Sequence, residues 1–220
     1  MVQVNPAFAD EYVAAQKDYT ARAKKVATPA SRIGGRVEVG DNYRFVFLSP
    51  AANMASFDAA ARNPDAELTA LNARLQKYIT SQESYIIRNL QEIDNPLPAS
   101  QQPALLLVNV AKVAPGREQA YLDVMKSDFL PHFNKANFYH VNGSITFGAE
   151  SGFIHIFYIN NFAKLDEGSP VAKALGPAGA QAVTAKLAGI VTSSEQWIVR
   201  VNPDFSYAAS ARTAPTPLQQ

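Results

Sequence analysis

Three histidines, two matched arginines and two matched glutamates hold most of the reactive chemistry in this sequence. His155 stands in the middle of Phe153-Ile154-His155-Ile156-Phe157-Tyr158. An imidazole on so apolar a run needs a hydrogen-bond partner. Its titration range suits a general base, a ligand-orienting donor or a haem contact. His155 is therefore the candidate catalytic residue, with a hydrogen-bonded core histidine as the structural alternative. Arg88 and Arg200 end two copies of one phrase, and a pair of guanidinium groups on a shared cavity could clamp a carboxylate or phenolate. The structural alternative is an ion pair for each, with Glu83, Glu195 or Glu38 as partner. Trp197, the single tryptophan, could stack on a ligand or simply fill the core. Tyr158, at the end of the His155 strand, joins Arg88, Arg200 and Trp197 as a substrate-binding candidate. Glu83 and Glu195 suggest paired acid–base groups, or else residues at loop–strand junctions. Asp128 and His132 stand four apart, but no further pair at ligand spacing follows, and no metal site is assigned.

Composition narrows the classes. The chain has 220 residues, 47% hydrophobic and 18% charged, enough for a sizeable core. With 20 basic and 19 acidic residues its net charge is +1, which disfavours nucleic acid as a partner. There is no cysteine, so disulfides, thiolate nucleophiles and zinc-thiolate sites are excluded. The apolar runs have the length of strands and are too short to span a membrane. Leu175 to Ala180 looks like a phosphate loop but lacks the following Lys-Ser/Thr, and reads as a helix break. Asn142-Gly143-Ser144 fits the glycosylation pattern, which is too short to carry weight.

The elements that would position these residues come in a repeating order. A helix is expected over Pro6 to Val26, closed by Thr28-Pro29, with Phe8, Tyr12, Ala15 and Tyr19 on one face. Arg36 to Val39 and Tyr43 to Leu48 read as a hairpin. Helix follows over Ala51 to Ile79, broken at Asn63-Pro64, and then a strand over Glu83 to Ile93. The proline-rich stretch 96–103 is the best linker. The order then recurs: strand Ala104 to Val113, a helix to Leu130, a hairpin of Tyr139 to Phe147 and Phe153 to Ile159 around Gly148 to Gly152, a disturbed helix within Leu165 to Val191, and strand Trp197 to Val201. The residues from Ala208 onward read as a disordered tail.

Sequence matches track that order. Val4-Asn5-Pro6 matches Val113-Ala114-Pro115, and Tyr12 matches Tyr121 at the same offset of 109. Gly35-x-Val37-x-Val39-Gly40 matches Gly143-x-Ile145-x-Phe147-Gly148 at 108, and Tyr43 to Leu48 matches Phe153 to Tyr158 at 110, which sets His155 against Phe45. Thr80 to Arg88 matches Thr192 to Arg200 at 112, with Thr, Ser, Glu, Ile and Arg in common. The expected organisation is a first unit over 1–95, a linker over 96–103, a second unit over 104–207 and a tail over 208–220.

Each unit reads β-α-β-β-α-β, the split ferredoxin-like pattern. Two such units in tandem resemble the dimeric α+β barrel superfamily, which includes antibiotic-biosynthesis monooxygenase-like and NIPSNAP-like proteins. The resemblance implies an α+β fold whose two antiparallel sheets pack together as an intramolecular barrel around a small-molecule cavity. It also implies that a small aromatic molecule is bound or oxidised there, without a cofactor, haem being the alternative. A non-catalytic barrel for oligomerisation or ligand carriage is the second reading, and a homo-oligomer fits either. Met1 to Val4 shows no signal peptide. The second unit opens on a ten-residue strand and the first on only Val2 to Val4, so an upstream segment and an extracytoplasmic location are expected.

Overall fold

The computed structural model describes residues 1–26, 31–62, 65–98, 101–148 and 152–208. The expected helix stop at Thr28-Pro29, the break at Asn63-Pro64, the residues at 149–151 and the tail beyond 208 lie outside them. The protein is mixed α+β and folds as two compact units. One comprises 1–36, 42–82 and the segment from Val201; the other comprises 37–41 and 83–200. They are thus cut differently from the expected 1–95 and 104–207. Residues 83–95 go with the second unit and 201–207 with the first.

In the first unit the strands are β1 (Val2–Val4), β2 (Ile33–Val39, counted here although 37–39 fall in the second unit), β3 (Arg44–Leu48) and β4 (Ile79–Gln82), in antiparallel order β4-β1-β3-β2. Its helices are α1 (Ala9–Lys25), α2 (Ala55–Arg62) and α3 (Ala66–Gln76). Pro6 opens the 3-10 turn that leads into α1, and the Asn5 side chain accepts from Ala7 N–H at 3.0 Å. Tyr12, Ala15, Gln16, Thr20 and Ala23 recur at helical steps and form the buried face of α1. Tyr12 meets Phe45 with ring centroids 4.7 Å apart, and Phe205 closes the same cluster. Asp65 caps α3, accepting from Leu68 N–H at 2.9 Å, and its other oxygen holds Arg22 at 2.6 Å.

The second unit has β5 (Ile86–Asn89), β6 (Leu105–Val113), β7 (His140–Phe147), β8 (Gly152–Ile159) and β9 (Val191–Val201), in order β9-β6-β8-β7-β5. Between β6 and β7 run α4 (Glu118–Val124), a π turn over Met125–Phe129 and α5 (Leu130–Lys135). The turn loosens just before Pro131, which has no N–H to continue the ladder. Between β8 and β9 lie α6 (Ala163–Asp166) and α7 (Pro170–Ala185). Ser169 caps α7, and the expected disturbance is a kink at Gly176 (φ 72°) beside Pro177. Tyr121, Met125, Phe133, Val171 and Val183 pack over Phe153 and Ala111 as the core of this unit.

The strand registers of the two units coincide. Val2 pairs with Phe45 and Ala111 with Phe153; Gly34 pairs with Phe47 and Asn142 with His155. Gly40 and Gly148 both take positive φ, 120° and 98°, where each β2 or β7 strand ends. This register corrects one sequence match. Phe153 occupies the place of Phe45, stacking on Tyr121 at 4.6 Å where Phe45 meets Tyr12 at a tilt of 55°. His155 therefore stands where the first unit has Phe47, two residues along.

The repeated phrase is built differently in its two copies. The second lies within the continuous β9, whereas the first is broken between Gln82 and Ile86 into β4, paired with β1, and β5, paired with β7. The segment after each copy turns in a 3-10 helix, Gln91–Ile93 or Pro203–Phe205. Each turn is held by equivalent bonds, Leu90 N–H to Asn142 O at 3.0 Å and Asn202 N–H to Gly34 O at 2.9 Å.

Gly34 is the tightest of these contacts in the first unit. A Cβ there would lie 2.6 Å from the Phe205 carbonyl oxygen and 2.8 Å from its Cβ. Backbone cannot yield cheaply, so Gly34→Ala should destabilise the protein by roughly 1–3 kcal/mol. A urea midpoint lowered accordingly checks this; an unchanged midpoint would contradict the close approach.

Candidate functional site

Alternation along β6, β7, β8 and β9 divides the second unit's sheet into two faces. The helix-covered face carries Phe153, His155 and Phe157 from β8, with Asn142 opposite His155 and Leu105 opposite Ile159. The other face carries Leu106, Val108, Ile154, Ile156 and Val199, all buried. Register then sorts the predicted site residues. Arg88 lies opposite Ser144 and Arg200 opposite Leu105, so both share the face of His155. Trp197 lies opposite Val108, and Tyr158 opposite Leu106, so these two share the other face. The five do not converge on one point.

His155 is the centre of a closed hydrogen-bond network. The Asn142 amide nitrogen donates to Ile93 O at 2.5 Å and to Asp94 Oδ1 at 3.0 Å. Its oxygen is left to accept from His155 Nδ1–H at 2.6 Å. The neutral ring thus carries its proton on Nδ1, and Nε2 accepts the Tyr121 hydroxyl at 2.6 Å. Asp94 also accepts from Asn142 N–H at 2.7 Å. Burial drives the His155 pKa down from 6.5 to about 4, with the nearby His140 adding to the effect. Burial likewise pushes the Tyr121 phenol up. His140 sits beside the network, its Nδ1 2.7 Å from Phe138 O and its Nε2 3.0 Å from Ile93 O. Both nitrogens of His155 are taken, so as arranged it offers no ligand to a haem iron.

The remaining candidates are placed as follows. Arg200 is exposed and forms a two-point ion pair with Glu38, at 2.8 and 2.5 Å. Arg88 is exposed and donates to Ser144 Oγ at 3.3 Å. Glu83 accepts from the Tyr85 hydroxyl at 2.7 Å. Asp128 pairs with Lys186 at 2.6 Å, which lowers its carboxyl pKa. Among the described residues no group of three His, Asp or Glu could hold a metal. None of their helices is long and apolar enough to cross a membrane. Trp197 is 7% exposed, and among the described residues its buried indole N–H has no acceptor.

Tyr158 lines a groove. A groove of about 420 Å³ runs between the end of β8, the residues after α5 and α6. Phe138, Tyr139 and Tyr158 give it aromatic walls, and Asn160, Asn161 and Lys164 give it polar groups. Burial raises the Tyr158 phenol pKa and the Asp94 carboxylate raises it further. Its hydroxyl therefore stays protonated near neutrality and can donate.

Sequence reasoning missed Tyr121, Asn142 and Asp94 as partners of His155. Tyr121 carried a usable signal, since it repeats Tyr12. Asn142 and Asp94 carried none, because only the register brings them together.

No family model matches the chain, and no curated protein matches it in sequence. Solved structures match in fold. Two proteins named "putative monooxygenase" superpose over nearly the full length. That from Lactobacillus acidophilus NCFM has a TM-score of 0.59 at 10% identity, covering 94% of this chain and 93% of its own. That from Fusobacterium nucleatum has 0.63 at 11%, covering 91% and 88%. An anthrone oxidase-like protein has 0.61 at 11%, covering 98% and 93%. What these proteins share with the chain is the mixed α+β fold.

The neutral imidazole of His155 couples stability to acid. Above pH 6.5 it is unprotonated in both the folded and unfolded chain and adds no pH dependence. Below 6.5 the unfolded chain takes up a proton that the folded one refuses until about pH 4. Stability should fall by about 1.4 kcal/mol per pH unit across that window, about 3 kcal/mol in all. Denaturant titrations at several pH values, compared with His155→Gln, should show this component vanish in the variant. A wild-type curve no steeper than that of the variant would refute the buried neutral ring.

Proposed function

We propose that this chain is a small-molecule-binding protein of the α+β barrel class that takes an aromatic ligand in the Tyr158 groove. The groove itself carries this reading. Its volume falls in the usual range for ligand sites, its walls are aromatic, and the neutral Tyr158 hydroxyl supplies a donor for a carbonyl or phenolic oxygen. The names of the fold neighbours support the same ligand class. We read the chain as two copies of one ferredoxin-like unit, a reading supported by the shared strand registers.

Binding is better supported than turnover. His155 would serve as a base only after giving up Tyr121 or Asn142, and Arg200 would clamp a ligand only after leaving Glu38. The carrier reading therefore stands beside the oxidative one, and it is favoured by the closed network around His155.

Anthrone and 1-naphthol are suitable probes. Calorimetric titration should show saturable binding, weakened at least tenfold in Tyr158→Ala. Absence of saturation with both probes, or unchanged affinity in the variant, would sink the proposal. Oxygen uptake in the same anthrone mixtures separates the readings: consumption above the buffer rate supports an oxidase, and none supports a carrier.

A further inference from the structure

The first unit has its own divergence from the second at the place where the chain returns to the sheet. Backbone bonds join Arg32 to Tyr207 in both directions, at 2.8 and 2.9 Å, as they join His140 to Asn95 in the second unit. Arg32 thus takes the position of His140. His140 has a carbonyl oxygen facing each ring nitrogen. The Arg32 Nε–H has no such acceptor. Its guanidinium lies over Phe47 at 4.8 Å, Tyr19 at 5.3 Å and Tyr207 at 5.8 Å. These rings come from β3, α1 and the returning segment, so three separate stretches build the cage.

Ring faces stabilise a cation but accept none of its in-plane N–H bonds. The Arg32 Nε–H is out of contact with solvent and has no acceptor. Two other arginines of the unit pair with carboxylates, Arg22 with Asp65 and Glu67 and Arg74 with Asp18, whereas Arg36 lies over Tyr43 and Phe45 and donates to Asn42 O. The acid nearest in sequence to Tyr207, Asp204, is held by Lys17 at 3.1 Å. Among the described residues no carboxylate pairs with Arg32. A guanidinium stacked on aromatic rings presents its N–H edge sideways, and that edge matches a carboxylate in the two-point mode.

We propose that Arg32, caged by Tyr19, Phe47 and Tyr207, is a binding site for a small planar carboxylate. Arg32 as a whole is half-buried, and the carboxylate meets the outer N–H groups of its guanidinium. Burial raises the Tyr207 phenol pKa, so its hydroxyl remains a neutral neighbour and does not compete as an anion. The site lies in the first unit and is independent of the Tyr158 groove.

Benzoate, acetate and inorganic phosphate test it on the full chain. In a spectrum selective for arginine side chains, the Arg32 Nε–H signal, assigned by its loss in Arg32→Lys, should shift saturably with benzoate. Calorimetry should show the same saturation, weakened at least tenfold in Arg32→Lys and absent in Arg32→Gln, with Arg200→Gln unaffected. A signal that does not move, a response that survives Arg32→Gln, or phosphate binding more tightly than both carboxylates would overturn the assignment. The wild-type spectrum decides the matter even if the glutamine variant fails to fold. Acetate, which has no ring for the Tyr158 groove, should also move the Arg32 signal, and 1-naphthol, which has no carboxylate, should not, so failure at one site is distinguishable from failure at the other.

Discussion

A buried imidazole must find partners for both nitrogens, and much of the second unit is arranged to supply them. Tyr121 must come from α4, Asn142 from β7, and Asp94 from the turn after β5, all within hydrogen-bond reach of one ring on β8. An error of one residue in the β7–β8 register would turn Asn142 to the opposite face and leave an unpaired polar group in the core. The network is thus a register lock as well as a set of bonds. It also disposes of the glycosylation pattern at Asn142, whose side chain is 4% exposed and fully engaged.

The first unit meets the same geometric demand with different chemistry. Phe47 replaces His155, Gly34 replaces Asn142, and Ser206 donates and accepts around Gly34 where Asp94 serves Asn142. Where the second unit uses a polar chain of contacts, the first uses close backbone approach and tilted aromatic rings. That substitution leaves the cation of Arg32 among aromatic faces and the ring of His140 among carbonyls. The units share an architecture and differ in what their interiors could recognise.

The sequence made the elements legible because their signals are local. Strand alternation, the Asn5-Pro6 start, the Asp65 cap and the Gly176-Pro177 kink depend on neighbours in the chain. The match of His155 to Phe45 failed for an equally physical reason. A shift of two residues keeps every side chain on its own face, so hydrophobic alternation cannot detect it. The break at residues 83–85 was also invisible, since Ser84-Tyr85-Ile86 has the composition of a strand throughout. Of the candidate site, the burial of His155 and the pairing of Arg200 with Glu38 were open to sequence reasoning as alternatives. The groove was not, because Phe138, Tyr158 and Lys164 are brought together by loops whose paths no periodicity encodes.

Phe205 is 1% exposed in the core of the first unit, yet it follows the whole second unit in the chain. A ribosome delivers residues in order, so the first unit to be synthesised is the last to be completed. Until the returning segment emerges, the cleft beside Gly34 lacks its cover and the face of Phe45 stays open. The second unit, by contrast, has all of its strands once Val201 is made. Folding order and synthesis order therefore run against each other, and the nascent first unit is the stretch most in need of protection from premature association.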